Sequence, residues 1–153
     1  SPADLDEVEI VQTIRPRKAI KGQGYGLSSD DRKHVENRAM MCVRKWLEDD
    51  GYAVVDTSSQ RPYDFEAKKL GATLKVEVKG TTSDDPDAVL MTRNEVELHR
   101  TEKGSTALFI VSGIRLLGSG LDRGAVGGQT EALIGWDIDE WQLTSTTYRV
   151  ERK

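Results

Sequence analysis

Two short runs in the middle of the chain carry the residues best suited to chemistry. Asp64 follows Pro62-Tyr63 in the first run, and Glu77 and Lys79 flank Val78 in the second. Two carboxylates brought together form an oxygen-rich site for a hard cation, and Mg²⁺ typically takes one or two protein carboxylates while keeping several waters. An ammonium group beside them can orient water or stabilise the negative charge that develops on a phosphate under attack. Asp64, Glu77 and Lys79 are therefore candidate catalytic residues, with Mg²⁺ or Mn²⁺ held by the two acids.

A β-hairpin would bring these residues together. Residues 73–80 alternate apolar and polar side chains, the period of a strand, with the three charged residues of the run on one face. If Gly71 lies at the turn, paired positions sum to about 142, and Asp64 neighbours Glu77 and Lys79. We expect the charged face to lie outside the core. The alternative is a solvated strand edge with a cross-strand salt bridge, worth about 0–1 kcal/mol.

An amphipathic helix is predicted over residues 29–50, where apolar residues recur at three- and four-residue steps. Ser29 or Asp30 can cap its start, and Gly51 supplies a left-handed stop. Glu36 lies beside the apolar stripe. It is either a fourth member of the catalytic set or a surface residue at the margin of the stripe.

The remaining pattern predicts further strands and one more helix. Thr92 and Glu95 have the spacing of a capping box, which predicts a short helix over 93–103 ended by Gly104. Capping explains Glu95 well, and a part in catalysis is the other alternative. Strands are predicted over 52–57, 106–112 (buried on both faces), 132–138 and 146–150. Together these elements predict an α/β domain with a central mixed β-sheet flanked by the two helices.

Two segments are predicted to be connecting segments with little regular secondary structure. Residues 1–27 divide into an acidic and a basic half and suggest a linker or N-terminal extension with one short strand near Val8–Ile14, which places the domain at 28–153. Five glycines within residues 118–128 lack the spacing of a nucleotide-binding loop and suggest a mobile connection.

Composition excludes several classes of protein. The longest apolar run is far shorter than the roughly 20 residues of a membrane-spanning helix, and the N-terminus has no signal-peptide pattern. One cysteine, Cys42, and two histidines exclude an internal disulfide and a Cys- or His-rich zinc site. We therefore expect an intracellular, cytoplasmic protein without a membrane partner. The net charge of -4 argues against a domain that binds nucleic acid by bulk charge alone.

The combination of Pro62-Tyr63-Asp64 with Glu77-Val78-Lys79 resembles the PD-(D/E)XK nuclease superfamily, with one residue inserted between Pro and Asp. A closer resemblance covers residues 28–112, where Val-Glu-Asn-Arg-Ala-Met-Met, Gly-Tyr-Ala-Val, Pro-Tyr-Asp-Phe, Val-Glu-Val-Lys-Gly-Thr-Thr and Leu-Met-Thr-Arg-Asn-Glu-Val look like the domain family named for the C-terminal region of the plant protein NO VEIN. The resemblance implies a restriction-endonuclease-like α/β core and a domain appended to helicase, ATPase or restriction-type proteins.

The resemblance also implies an activity. We expect a Mg²⁺- or Mn²⁺-dependent endonuclease module that hydrolyses DNA phosphodiester bonds within a larger restriction or DNA-processing protein. Glu36 would join Asp64, Glu77 and Lys79 in its catalytic set. DNA and the parent protein's other domains are the expected partners, and a homodimer is a further candidate. The alternative is a catalytically silent nuclease-like fold that binds DNA or docks a protein. Candidate nucleic-acid contacts are Arg61, Lys68, Lys75 and Thr81.

Overall fold

The computed structural model describes residues 7–12, 27–146 and 152, and these form an α/β architecture. The strands are β1 (Glu7–Gln12), β2 (Ala53–Asp56), β3 (Phe65–Lys69), β4 (Ala72–Gly80), β5 (Ala88–Thr92), β6 (Thr106–Leu117), β7 (Gly124–Ile134) and β8 (Trp141–Ser145), and the α-helices are α1 (Ser29–Asp49) and α2 (Arg93–Thr101). In the described part of the chain, no helix is long and apolar enough to cross a membrane.

The main sheet has five strands in the order β2-β3-β4-β6-β7. Strands β4 and β6 are parallel, and every other neighbouring pair is antiparallel, so the sheet is mixed. A smaller antiparallel sheet has the order β5-β1-β8. The predicted fold class, a mixed central sheet with two helices, is confirmed, and it is consistent with a restriction-endonuclease-like core.

The predicted β3–β4 hairpin is present. Phe65 pairs with Val76 and Lys69 pairs with Ala72, so paired positions sum to 141, one less than predicted. Leu70 and Gly71 form the turn with φ of 51° and 80°. Both values lie in the left-handed region that two-residue hairpin turns require, which accounts for glycine at the second position.

Helix α1 packs on one face of the five-stranded sheet. Its stripe Val35, Ala39, Val43 and Leu47 is buried against side chains of β3, β4 and β6. The N-cap is Ser28, whose Oγ accepts a hydrogen bond from the Asp31 amide at 3.1 Å, so the predicted cap was misplaced by one or two residues. Burial of this stripe fixes the rotation of α1 about its axis and therefore the direction of its polar flank.

The opposite face of the sheet is covered by α2 and the smaller sheet. Leu108 and Ile110 of β6 belong to a second core with Val89, Met91, Val96, Trp136 and Ile138. In the parallel pairing of β4 with β6, Glu77 lies opposite Leu108 and Lys79 opposite Ile110. The expectation that the charged face of β4 lies outside the core is therefore wrong. This face of β4 is buried because α2 and the smaller sheet pack over it.

The glycine-rich segment is not a mobile connection throughout. Gly124, Gly127 and Gly128 lie in β7, which forms a long hairpin with β6. Pairing is interrupted between Ser112–Gln129 and Ile114–Gly127. Gly128 has a φ of 104°, and a Cβ there would lie 2.7 Å from Val111 Cγ1. Glycine is thus required at that point of the strand because both the backbone angle and the close packing exclude a side chain.

The ends of the chain differ in part from expectation. The strand predicted near Val8–Ile14 is present as β1, which pairs with β5 and β8; the rest of 1–26 lies outside the described residues. Strand β5 was not predicted, because its five residues precede the capping box and follow a polar loop. Most of the predicted 146–150 strand also lies outside the described residues, and the last described strand is β8.

Candidate functional site

The candidate site lies where β3 begins and the antiparallel β4 continues past it. The first residue of β3 is Phe65, so the amide of Val78 lies past the β3–β4 ladder. Asp64 Oδ2 accepts a hydrogen bond from that amide at 2.7 Å. The Asp64 amide in turn donates to the Val76 carbonyl at 2.8 Å. Asp64 therefore has a structural role, in which its carboxylate takes the place of a strand carbonyl, as well as a position beside Glu77.

Glu77 and Asp64 form a carboxyl pair. Glu77 is 4% exposed, and its carboxyl group is a close neighbour of that of Asp64. Burial raises the pKa of Glu77 well above its usual value, and the neighbouring Asp64 charge adds to this against the effect of Lys79. Burial also raises the pKa of Asp64, against the hydrogen bond from Val78. Burial beside a second acid therefore disfavours the ionised form of both carboxyl groups.

Lys79 lies between two carboxylates. Its Nζ is 3.3 Å from Glu77 Oε1 and 2.9 Å from Glu95 Oε1, and its side chain is 11% exposed. Burial acts to lower the pKa of this ammonium, but the two carboxylates outweigh burial and raise it. Burial likewise acts to raise the pKa of Glu95, but the Lys79 ammonium outweighs it and the pKa is lowered. Lys79 and Glu95 are therefore a charged, buried pair.

Glu95 enters the site from the start of α2. Its Oε1 accepts a hydrogen bond from the Thr92 amide at 3.1 Å, and its own amide donates to Thr92 Oγ1 at 3.2 Å. The predicted capping box is thus confirmed. The same side chain also binds Lys79, a contact that sequence reasoning could not find because spacing within α2 says nothing about which residue of β4 lies across from it.

An open cleft of about 660 Å³ gives access to these groups. It runs between α1 and the end of β4, and its polar lining comprises Arg32, Lys33, Glu36, Asn37, Asp56, Ser58, Asp64, Glu77 and Lys79. The two walls approach closely because Gly80 faces Ala39, and a Cβ at Gly80 would lie 2.6 Å from the Ala39 Cβ. This accounts for glycine directly after Lys79.

The four predicted catalytic residues all line this cleft, although Glu36 is an exposed residue of the α1 wall. The predicted nucleic-acid contacts do not line it. Lys75 is bound to Glu102, Thr81 is buried, and Arg61 and Lys68 are exposed elsewhere on the surface. The cations of the lining besides Lys79 are Arg32 and Lys33. Sequence reasoning missed them because it treated the start of α1 only as a helix terminus.

The pattern of metal-binding side chains is sparse. Among the described residues, no group of three or more His, Cys, Asp or Glu side chains is arranged to hold a metal ion. Asp64 and Glu77 are two adjacent carboxyl groups at the cleft. These two carboxyl groups would therefore be the acidic ligands of a cation bound here.

Comparison with known families decides what the chain is related to. Residues 35–118, more than half of the chain, match the family described as "Protein NO VEIN, C-terminal". The chain belongs to this family. No curated protein and no solved structure matches the chain. The five groups that meet at or line the cleft, Glu36, Asp64, Glu77, Lys79 and Glu95, all lie within the part that matches the NO VEIN C-terminal family, which its description makes one domain of a larger protein.

Proposed function

We propose that this NO VEIN C-terminal domain is a metal-dependent endonuclease module that hydrolyses DNA phosphodiester bonds. One observation carries the proposal: the carboxyl pair of Asp64 and Glu77 lies beside the Lys79 ammonium, and all three line one open cleft. The resemblance of these residues to the PD-(D/E)XK pattern supports the assignment of roles. We further propose that other domains of a parent protein deliver the substrate.

The residues fit a hard divalent cation. Carboxylate oxygens are the ligands that Mg²⁺ and Mn²⁺ prefer, and Mg²⁺ is commonly bound through one or two carboxylates with several retained waters. The raised pKa values of Asp64 and Glu77 mark a place where a neighbouring positive charge is favoured. Asp64 and Glu77 would hold the cation, which would supply positive charge to polarise the phosphate ester. Binding would be coupled to ionisation of these carboxyl groups, because carboxylate ligands must be ionised.

Each remaining residue has a role that follows from its position. Lys79 stays charged between two acids, and its ammonium is suited to stabilise the negative charge that develops on the phosphate. Glu36 faces the cleft from the exposed flank of α1, where its carboxylate can orient a water molecule or accept a proton. On this proposal, the phosphodiester is hydrolysed in the cleft between α1 and the C-terminal end of β4.

The charge distribution supports DNA binding that is local rather than general. The net charge is -4, so few phosphates are neutralised by the domain as a whole. Arg32 and Lys33 are exposed cations on the α1 wall of the cleft. We propose that they contact the phosphates that flank the scissile bond. Weak intrinsic affinity agrees with delivery by a covalently linked domain, which raises the effective concentration of substrate at the site.

One observation favours the silent alternative. Lys79 is 11% exposed and already bound to two carboxylates, an arrangement that also suits a purely structural ion pair. In that case the cleft would bind DNA or a partner protein without hydrolysis. The two proposals differ in whether divalent metal binds and whether DNA is cut, and both are measurable.

The test combines thermal unfolding with cleavage assays on duplex and single-stranded DNA, and on RNA. Mn²⁺ at a hundred times its dissociation constant should stabilise the native domain by about 2.7 kcal/mol, since it binds only the folded state. Asp64→Asn should abolish this stabilisation and cleavage while keeping the hydrogen bond from Val78, because the amide oxygen is still an acceptor. EDTA should stop cleavage by the native domain.

A matched control is available in the same cleft. Asp56 also lines it, but its carboxylate is bound to Ser58 through both the amide and the hydroxyl. Asp56→Asn should therefore leave metal binding and cleavage unchanged. Metal binding without cleavage of any substrate, or equal metal binding by the native and Asp64→Asn domains, would reject the nuclease proposal in favour of the silent alternative.

A further inference from the structure

One carboxylate oxygen of Glu95 serves two elements at once. Oε1 accepts a hydrogen bond from the Thr92 amide at 3.1 Å and from Lys79 Nζ at 2.9 Å. Thr92 is the N-cap of α2 and Lys79 lies in β4, so this atom joins the start of the helix to the strand that carries the candidate site. The Glu95 side chain is 13% exposed. Water therefore competes little with either bond.

Glu95 and Glu77 compete for the same ammonium. Lys79 Nζ lies 2.9 Å from Glu95 and 3.3 Å from Glu77, and Asp64 is a neighbour of Glu77. The negative charge of Glu95 holds the ammonium on the α2 side of the carboxyl pair. Without that charge, the remaining anionic neighbours are Glu77 and Asp64, and the ammonium would move towards them.

We propose that Glu95 is a positioning residue: its charge holds the Lys79 ammonium in place and keeps it from moving closer to the carboxyl pair of Asp64 and Glu77. This inference rests on the proposed nuclease function. Glu95 does not line the cleft, so it acts through Lys79 and not on the substrate. Its capping hydrogen bond gives the carboxylate a fixed location, because Thr92 also accepts from the Glu95 amide.

The deciding variant is Glu95→Gln. Glutamine keeps an oxygen that can accept from the Thr92 amide, so the cap is preserved while the charge that holds Lys79 is lost. We expect kcat for DNA cleavage to fall about 10- to 100-fold, the range usual for loss of a side chain that orients a site residue. The KM for DNA should stay within about twofold, because Glu95 does not contact the substrate.

The chain offers a matched control at the other end of the same helix. Glu102 binds Lys75 of β4 through both carboxylate oxygens, at 2.7 and 2.9 Å, outside the cleft. Glu102→Gln makes the same chemical change between the same two elements. It should leave kcat and KM unchanged. A fall in kcat for both variants would indicate a general effect of loosening α2 and would overturn the specific role of Glu95.

A readout independent of cleavage separates this inference from the function on which it rests. In ¹H–¹⁵N NMR, a buried and paired lysine ammonium exchanges slowly and is visible, and the Lys79 signal is assigned by its loss in Lys79→Met. The signal should shift or disappear in Glu95→Gln and persist unchanged in Glu102→Gln.

The outcomes are distinct. An unchanged Lys79 signal in Glu95→Gln, or a changed signal with native kcat, overturns the positioning role. If the native domain cuts no substrate, the proposed function fails and the catalytic part of the inference fails with it, while the NMR result still decides whether Glu95 places Lys79. A changed signal with a lowered kcat in Glu95→Gln alone supports both.

Discussion

Two lysine–glutamate pairs join β4 to α2, and they look equivalent in sequence. Lys75 and Lys79 lie on the same face of β4, and Glu102 and Glu95 lie at opposite ends of α2. The Lys75–Glu102 side chains are 29% and 37% exposed, whereas those of Lys79–Glu95 are 11% and 13% exposed. The first pair is a partly exposed salt bridge beside the ring of Tyr63. The second is buried and borders the carboxyl pair and the cleft.

The difference shows that the surroundings, and not the pair itself, determine what a lysine can do. Solvent reaches Lys75 and Glu102 and screens their charges, so that pair should contribute only about 0–1 kcal/mol. Lys79 lies where burial strengthens every charge interaction, next to Glu77 and Asp64, whose pKa values are raised. The Lys79 charge therefore acts strongly on any ligand that enters the cleft.

The largest expected effect is that of replacing Lys79, compared with the same replacement of Lys75. Methionine keeps most of the apolar part of the lysine side chain and removes its charge. Lys79→Met should reduce DNA cleavage by about two to four powers of ten, the range usual for loss of one charge-stabilising or acid–base group. Lys75→Met should leave cleavage within about twofold. Single-turnover rates, measured at a temperature at which both variants are folded, test the comparison. Equal rates for both variants would remove the distinction between the two lysines.

Between the two pairs on α2 lies His99, fully buried, whose Nδ1 accepts a hydrogen bond from Trp136 Nε1 at 2.9 Å. Burial lowers the pKa of His99 from 6.5 to about 4; Lys79 adds to this, while Glu95 and Glu102 oppose it. Because the folded-state pKa is lowered, His99 contributes stability that is present above pH 6.5 and lost as the pH falls to about 4. The loss should amount to about 3 kcal/mol.

Urea unfolding of the native domain and of His99→Gln from pH 7 to pH 4 measures this loss. Glutamine can still accept from Trp136 but does not titrate, so the difference between the two proteins should shrink or reverse as the pH falls. Glu77 has a raised pKa and changes stability in the opposite direction, but it is present in both proteins. A difference that is constant with pH would show that His99 is not held neutral by the fold.

The smallest expected effect concerns the more exposed pair, Lys75 and Glu102. Glu102→Gln should lower the free energy of unfolding by no more than about 1 kcal/mol, and the loss should diminish at high salt because solvent-exposed charges are screened. Guanidinium is itself a salt, so urea unfolding at low and high NaCl is the appropriate measurement. A loss of several kcal/mol, independent of salt, would place Lys75–Glu102 with the buried pair.

Local sequence pattern determined much of the secondary structure of this protein. The apolar stripe from Val35 to Leu47 predicted α1 and its buried face, because a helix repeats every 3.6 residues. The alternation in β4 and a glycine at position 71 predicted the hairpin within one residue of its register, which placed Asp64 beside Glu77. Capping chemistry predicted the start of α2 at Arg93. Each of these depends on contacts between residues close in sequence.

Tertiary packing decided the rest. Whether the charged face of β4 meets water depends on α2 and β5, and the short, polar-flanked β5 carries little local signal. The interrupted pairing at Gly128 likewise coincides with close packing against Val111, which glycine content alone does not reveal. Glu95 reaches Lys79 across 16 positions of chain, and only the docking of α2 sets that distance. The sequence by itself determined which acids and lysines were available, and the three-dimensional packing determined which lysine is buried, because burial depends on neighbours that are remote along the chain.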